Sequence, residues 1–420
     1  MLHEIDPRQA GPHAKEMGTA IATCVHCGFC LPACPTYQTL GEEMDSPRGR
    51  IFLMKDVLEE RLDLEEALPY VDRCLGCLGC VTACPSGVKY DELITSFRGY
   101  AEPRRHRSLA DRLLRTMVLE SLPYPNRFRL AARMGQLTSF LRPVLPQRLQ
   151  NMLGMLPPHL PPAESLPELI PAQGTRRARV ALLAGCAQQV LAPEINRATI
   201  EVLTRNGVEV AIPPTQGCCG ALAAHTGALD QAMEAARRNV RAFAGDYDAV
   251  ITNAAGCGSG MHEYPLWLRG QDEEQAAIQL QPKVKDICVF LDELGLVPPG
   301  PLAAPTRAAY HDACHLAHGQ GVTAEPRRIL RQIPNLELLE PADGHLCCGS
   351  AGTYNLEHPE TARELGAQKA DSLLATGANV IVSGNIGCLM QIRTHVGTAG
   401  SDLPIKHTVE LLAEAYRDTP

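Results

Sequence analysis

CVHCGFCLPACP at residues 24–35 and CLGCLGCVTACP at residues 74–85 repeat one pattern fifty residues apart. Each reads C-x2-C-x2-C-x3-C-P: Cys24, Cys27, Cys30 and Cys34 before Pro35, then Cys74, Cys77, Cys80 and Cys84 before Pro85. Runs of this spacing hold pairs of cubane iron–sulfur clusters. Three thiolates two residues apart lie along one tight loop and converge on three irons of a cube, so the fourth iron is reached from elsewhere.

In two-cluster bacterial ferredoxins the fourth ligand comes from the other run. That rule assigns one [4Fe-4S] cluster to Cys24, Cys27, Cys30 and Cys84, and a second to Cys74, Cys77, Cys80 and Cys34. Proline after each fourth cysteine fixes φ and removes a donor, which turns the chain away from the cluster. Pairs of C-x2-C also build four-cysteine zinc sites, but two complete runs, both ending in proline, favour iron. A disulfide scaffold suits a far shorter chain than these 420 residues.

The composition agrees with an intracellular redox protein. At 45% hydrophobic residues the chain can fill ordinary cores in two to four domains. Seventeen cysteines occur without an apolar signal segment or twin arginine between Met1 and Ala20, so the expectation is a reducing compartment with thiols as metal ligands. There is no run of about eighteen consecutive apolar residues to span a membrane. A net charge of −8 and a single tryptophan, Trp267, give no reason to expect a nucleic-acid partner. Gly256, Gly258 and Gly260 have the wrong spacing for a dinucleotide fingerprint, so any flavin is expected on another polypeptide.

The other cysteines expose a duplication. Cys186, Cys218–Cys219–Gly220 and Cys257 recur as Cys314, Cys347–Cys348–Gly349 and Cys388, at offsets of 128, 129 and 131. The hydrophobic pattern recurs with them. Short apolar strands are predicted at 179–183 and 308–311, at 208–212 and 336–339, and at 249–253 and 380–383. Helices are predicted at 229–243 and 359–374, and again at 287–294 and 408–416. Strands alternating with helices imply an α/β unit with a mainly parallel sheet, whose ligands sit at the carboxyl ends of strands. Every repeated cysteine falls at such a strand end or at a helix start, where thiolate is favoured. Cys288 stands opposite Val409 and reads as a core residue.

The stretch at 24–51, the run at 74–88, and the segments GCCGA and HLCCGSAGTY together resemble the iron–sulfur subunit of bacterial glycolate oxidase (glycolate dehydrogenase), over about residues 18 to 417. The resemblance implies an α+β multidomain chain. A mainly helical two-cluster ferredoxin-type domain occupies 15–100, an arginine-rich helical segment and proline-rich linker 101–176, and two α/β CCG (cysteine-rich) domains 177–300 and 305–418. It further implies two FAD-binding partner subunits, glycolate oxidised to glyoxylate on the flavin, and electrons passed towards a quinone or other membrane acceptor from the cytoplasmic side of the inner membrane. No catalytic residue is assigned to this chain. One or two further iron–sulfur clusters in the CCG halves are expected, at Cys186, Cys218, Cys219 and Cys257 and at Cys314, Cys347, Cys348 and Cys388. Both halves lack the final cysteine of heterodisulfide reductase-type sites, having Gly260 and Gln391 there. Related subunits of lactate or glycerol-3-phosphate dehydrogenases, and a heterodisulfide reductase-like thiol–disulfide enzyme, share the same parts.

Other residues carry two readings each. His311, His315 and His345 near the second set of cysteines suit iron ligation or proton relay, or hydrogen bonding around a cluster; Tyr354 and Asn385 join them as tuning residues. Arg48 and Arg50, with Asp45, Pro47 and Gly49, suit a partner contact or a local salt-bridged turn. Between Arg104 and Arg148 there are ten arginines against two acids, Asp111 and Glu120, interleaved with leucines, Phe128 and Phe140. That composition fits a membrane or partner surface, or a helical linker with solvated arginines. Prolines 143, 146, 157, 158, 161 and 162 are expected to end its helices, leaving 156–175 extended.

Overall fold

The computed structural model describes residues 2–144, 147–154, 156, 157 and 159–417. Pro146, Pro158 and residue 418 lie outside the described residues.

The N-terminal part is helical, and each helix is placed by a recognisable end. Ala14–Thr23 stops at Cys24, which adopts an extended conformation. Cys34 is the N-cap of the helix Pro35–Leu40, with Pro35 at the first helical position, where its missing N–H costs nothing. Ser46 caps the helix Pro47–Leu58 by accepting from the Gly49 N–H at 3.0 Å. These helices, together with Tyr90–Ala101, bury Met17, Ile21, Met54, Leu93 and Phe97 completely. Such side chains contribute about 1.5–3 kcal/mol each on burial, which holds the two cysteine runs in register.

The duplicated part forms two sheets of like topology. In the first, β1 (Leu169–Ile170), β2 (Ala178–Leu182), β3 (Val208–Ala211), β4 (Ala249–Thr252) and β5 (Val284–Asp286) lie in the order β1-β3-β2-β4-β5. In the second, β6 (Thr306–His311), β7 (Leu336–Leu339), β8 (Val380–Ser383) and β9 (Ile405–His407) lie in the order β7-β6-β8-β9. All pairings are parallel except the β1 edge, which is antiparallel to β3. The central strands β4 and β8 are buried along their whole length, as near-continuous runs of Val, Ile and Ala in a two-sided sheet require.

The two halves share one core. Val180, Ile251 and Ile287 of the first pack in the same cluster as Ala309, Ile381 and Leu412 of the second. The closing helices cross over: Thr408–Arg417 packs on Glu194–Arg205 of the first half, and Ile287–Leu294 packs on Ala324–Leu330 of the second. Tyr416 donates its hydroxyl to Val297 O at 2.7 Å, and Asn206 donates to Tyr416 at 3.0 Å. Cys288 is buried in this core.

The linker differs from the sequence expectation in one place: helical structure continues past Pro143, with a further helix at Gln147–Gly154 after Leu109–Ser121 and Pro125–Leu137. No helix follows among the described residues of the stretch expected to be extended, 156–175, where the short strand β1 lies. Its arginines divide into two groups. Arg129 is buried and donates to Gln189 O at 3.0 Å, and Arg105 pairs with Asp72 at 2.7 Å. Arg112, Arg127, Arg133 and Arg142 are exposed. Among the described residues no helix is long and apolar enough to cross a membrane.

Candidate metal centres

The two ferredoxin-type runs exchange their last cysteines. One small cavity is lined by Cys24, Cys27, Cys30, Cys80 and Cys84, and another by Cys34, Cys74, Cys77 and Cys80. Cys84 thus faces the first run and Cys34 the second. The first cavity lies near the surface: Cys27 is exposed, and Val25 and Phe29 are each 65% exposed. Around the second, donors point at sulfur. Gly76 N–H lies 3.4 Å and the Tyr90 hydroxyl 3.7 Å from Cys74 Sγ.

Arg50 belongs to this second site and is closed to any partner. It is 1% exposed, 3.8 Å from Cys34 Sγ, 2.9 Å from Thr36 Oγ1 and 3.2 Å from Asp45 Oδ1. Burial alone would disfavour its charge, but Cys74, Tyr90, Cys34 and Asp45 hold the guanidinium firmly protonated. Arg73 also bonds Asp45, at 2.8 and 3.0 Å. The same field acts on Cys74: burial pushes its thiol up, yet Arg50 and Arg98 bring it below the usual thiol range. Burial pushes Cys77 and Cys80 up.

Each Cys-Cys-Gly triplet sits at the carboxyl end of its sheet for a conformational reason. Gly220 and Gly349 have φ of +84° and +79°, the left-handed region that glycine alone occupies without strain. In that conformation Gly220 N–H points to Cys218 Sγ and Gly349 N–H to Cys347 Sγ, both at 3.4 Å. A Cβ at Gly349 would stand 2.8 Å from Ala362 O. Cys257 and Cys388 lie in the first turns of Ala255–His262 and Ile386–Thr398, and Asn385 Nδ2 donates to Cys388 Sγ at 3.3 Å.

The four thiols of each half gather at one place. Cys218 Sγ donates to Cys186 Sγ at 3.5 Å, and Cys219 and Cys257 line the same cavity. Cys314, Cys347, Cys348 and Cys388 line it from the second half. Four soft donors crowded in a buried site fit a thiolate-bound metal centre in each half. The two sets open onto one cavity of about 310 Å³, which touches all eight cysteines and also Cys74.

The histidines separate by position. His311 is buried, and burial beside Lys369 pushes it down to about 3. His315 spans the parts of the fold: its Nε2 lies 3.0 Å from Gly76 O, and its ring centroid 5.1 Å from that of His225. Tyr354 is buried and lines the large cavity, whereas His345 is exposed and stays outside it. His225 escaped the sequence reading. The offset of 129 between the triplets puts it opposite Tyr354, and that alignment was the only signal.

One packing relationship ties these centres together. Leu75 of the second run and Cys347 of the second half share an apolar cluster with Tyr354 and Leu365, against which Cys77 and Cys314 pack. The run at 74–84 therefore abuts the second set of cysteines.

Comparison with known proteins agrees with this arrangement. Residues 20–88 match the 4Fe-4S dicluster domain, and residues 180–262 and 308–393 each match the Cysteine-rich domain. Fold and site thus define an iron–sulfur protein that joins a dicluster domain to two cysteine-rich domains. The chain is 36% identical over 407 residues to the glycolate oxidase iron–sulfur subunit of Escherichia coli (strain K12), covering 96% of each chain. It is 37% identical over 417 residues to the probable glycolate oxidase iron–sulfur subunit of Bacillus subtilis (strain 168), covering 94% of each. It belongs to the glycolate oxidase iron–sulfur subunit family. Lactate utilization protein A of Geobacillus thermodenitrificans is 32% identical over 235 residues, 56% of this chain and 98% of that one.

Proposed function

We propose that this chain is the electron-transfer subunit of a glycolate dehydrogenase complex, relaying electrons from a flavin subunit that oxidises glycolate to glyoxylate towards a quinone or other membrane acceptor. Its parts are a two-cluster unit at 15–100, a linker at 101–176 and cysteine-rich units at 177–300 and 305–418. Cys24, Cys27, Cys30 and Cys84 hold one [4Fe-4S] cluster, and Cys74, Cys77, Cys80 and Cys34 the other. Cys186, Cys218, Cys219 and Cys257, and Cys314, Cys347, Cys348 and Cys388, hold further metal centres. When bound, the clusters supply one-electron transfer, with potentials tuned by hydrogen bonds, charge and solvent.

The chain's own residues do the tuning. Arg50 offsets thiolate charge at the second run, Tyr90 and the Gly76 N–H donate to Cys74, and Asn385 donates to Cys388. The observation that carries the relay reading is the shared packing of Leu75, Cys77, Cys314 and Cys347. It supports an order that runs from the surface run through the buried run to the second half. The exposed Val25 and Phe29 beside Cys27 suit docking of one of two FAD-binding subunits, where glycolate is oxidised.

A peripheral site on the cytoplasmic face of the inner membrane is supported by the linker. Leu109, Leu113, Leu130, Leu137 and Phe140 are exposed among exposed arginines, the composition of an interfacial helix on anionic lipid. Pelleting with vesicles containing anionic lipid, set against neutral vesicles, tests this part.

A second reading changes only the fuel. The match to lactate utilization protein A favours a lactate-oxidising complex of the same design. Adding glycolate, D-lactate or glycerol 3-phosphate to the anaerobic native complex, and following cluster reduction, decides between them.

A further inference from the structure

The two cysteine-rich halves are not chemically equivalent. His311 lies at the end of β6, three residues before Cys314, and is 1% exposed. At the same offset of 128 the first half carries Leu183, three residues before Cys186. Leu183 is also buried, in an apolar cluster with Cys219. A leucine suffices there for packing, so packing does not explain a histidine in the second half.

Neither ring nitrogen of His311 has a hydrogen-bond partner, although the residue is buried. An imidazole without partners in a dry site costs free energy, and each such group calls for an explanation. Lys369, a buried cation, directs its ammonium to the carbonyls of Asp343 and Gly344 instead. What the ring does face is sulfur. A ring nitrogen of His311, Cys348 Sγ and Cys388 Sγ all lie within 4.8 Å of one another. Three donors bound to one ion at about 2.0–2.3 Å stand about 3.5–4.0 Å apart. The trio therefore brackets the space of a single metal ion, and a contraction of at most about 1 Å completes it.

We infer that His311 is a metal ligand which, with Cys348 and Cys388, binds one divalent transition ion through an imidazole–thiolate set, so that the second half holds a centre unlike the all-thiolate centre of the first. Borderline-soft ions take this donor set. Two sources fit it: an iron of an iron–sulfur centre, or a lone zinc. With iron, replacing an anionic thiolate by a neutral imidazole raises the reduction potential, as in centres where two histidines replace two cysteines. The second half then becomes the better electron acceptor of the pair. The inference rests on the reading that the second half holds a metal, but not on the identity of the fuel.

The experiment uses the full chain, purified anaerobically in its complex, with histidines labelled with nitrogen-15. Pulsed electron paramagnetic resonance then seeks a directly bound nitrogen, and iron and zinc are counted in parallel. If iron is the ion, a strong nitrogen coupling appears in the unsubstituted protein. It vanishes in His311→Leu, which copies the first half, and the potential of that centre falls in His311→Cys. If zinc is the ion, about one zinc per chain is found, with one nitrogen among its sulfur ligands by X-ray absorption. That zinc is lost in His311→Leu. The labelled, unsubstituted chain keeps the test valid even where His311→Leu folds poorly. A metal that is lost in Cys348→Ser and Cys388→Ser but shows no nitrogen overturns the role of His311. Iron and zinc contents that those two substitutions leave unchanged overturn the metal reading of the second half, and this inference with it.

Discussion

His315 Nε2 donates to the carbonyl of Gly76 at 3.0 Å, joining the second half of the duplicated region to the loop between Cys74 and Cys77. The bond is partly buried, and it lies beside the apolar packing of Leu75 on Cys347. Removing it leaves a carbonyl without its donor. We expect His315→Phe to lower stability by about 1–3 kcal/mol and to weaken magnetic coupling between the centres on either side. His315→Gln recovers part of both. Thermal melting and power-saturation resonance measure the two effects, and an unchanged melt in His315→Phe contradicts the role assigned here.

The exchange of fourth ligands predicts which cysteines fail together. Cys84→Ser and Cys30→Ser should damage the same cluster, and Cys34→Ser and Cys77→Ser the other. Each pair then loses about four irons in total, not about eight. Iron content and the resonance spectrum of the surviving cluster check this. Loss of the same cluster, by its resonance spectrum, in Cys30→Ser and Cys34→Ser contradicts it.

Arg50 sits between Asp45 and Cys34 with 1% of its surface exposed. Truncating one member of a buried ion pair costs about 3–5 kcal/mol. Arg73 also bonds Asp45, so Arg50→Gln should fall near ~3 kcal/mol, the low end of that range. Loss of the nearby positive charge should also move the potential of the adjacent cluster to more negative values. Denaturation and a redox titration measure the two separately.

Much of this architecture was legible in the chain, and the reasons are local. The strands at 336–339 and 380–383 and the helices at 359–374 and 287–294 coincide with the elements observed, because each is a short apolar run or a long helical period with a clear end. Glycine was visible in the triplets, but its φ was not. β5 and β9 escaped notice, being three residues each and embedded in helical patterns. The shared cavity and the crossed closing helices were also out of reach. They depend on how two similar halves pack, and a duplication in sequence carries no information about that. His311 was visible as a candidate, but only its orphaned ring nitrogens separate it from His315, which has Gly76 as partner.

The residues that cap the closing helices give opposite pH dependences. Asp286 accepts from Cys288 N–H at 2.8 Å, and His407 Nδ1 accepts from Val409 N–H at 3.2 Å. Burial pushes Asp286 up to about 7, so the folded state keeps a proton that the unfolded state releases above about pH 4. Its stabilising effect is therefore lost as pH rises from about 4 to about 7. Burial pushes His407 down to about 4, so the folded state rejects a proton that the unfolded state binds below about 6.5. Its contribution falls as pH drops from about 6.5 to about 4. Every tenfold difference in proton affinity between the folded and unfolded chain is equivalent to about 1.4 kcal/mol. Asp286→Asn should remove the loss of stability as pH rises from about 4 to about 7, and His407→Asn the loss as pH drops from about 6.5 to about 4. Parallel profiles in wild type and variant contradict either assignment.

The most direct test of the central claim is cluster reduction in the native complex. The complex is purified anaerobically through this chain with its flavin subunit bound, glycolate is added, and electron paramagnetic resonance is recorded after rapid freezing. The account predicts that glycolate reduces the ferredoxin-type clusters within one turnover. Clusters that stay oxidised with glycolate in a flavin-loaded complex, but become reduced with D-lactate or glycerol 3-phosphate, would contradict it.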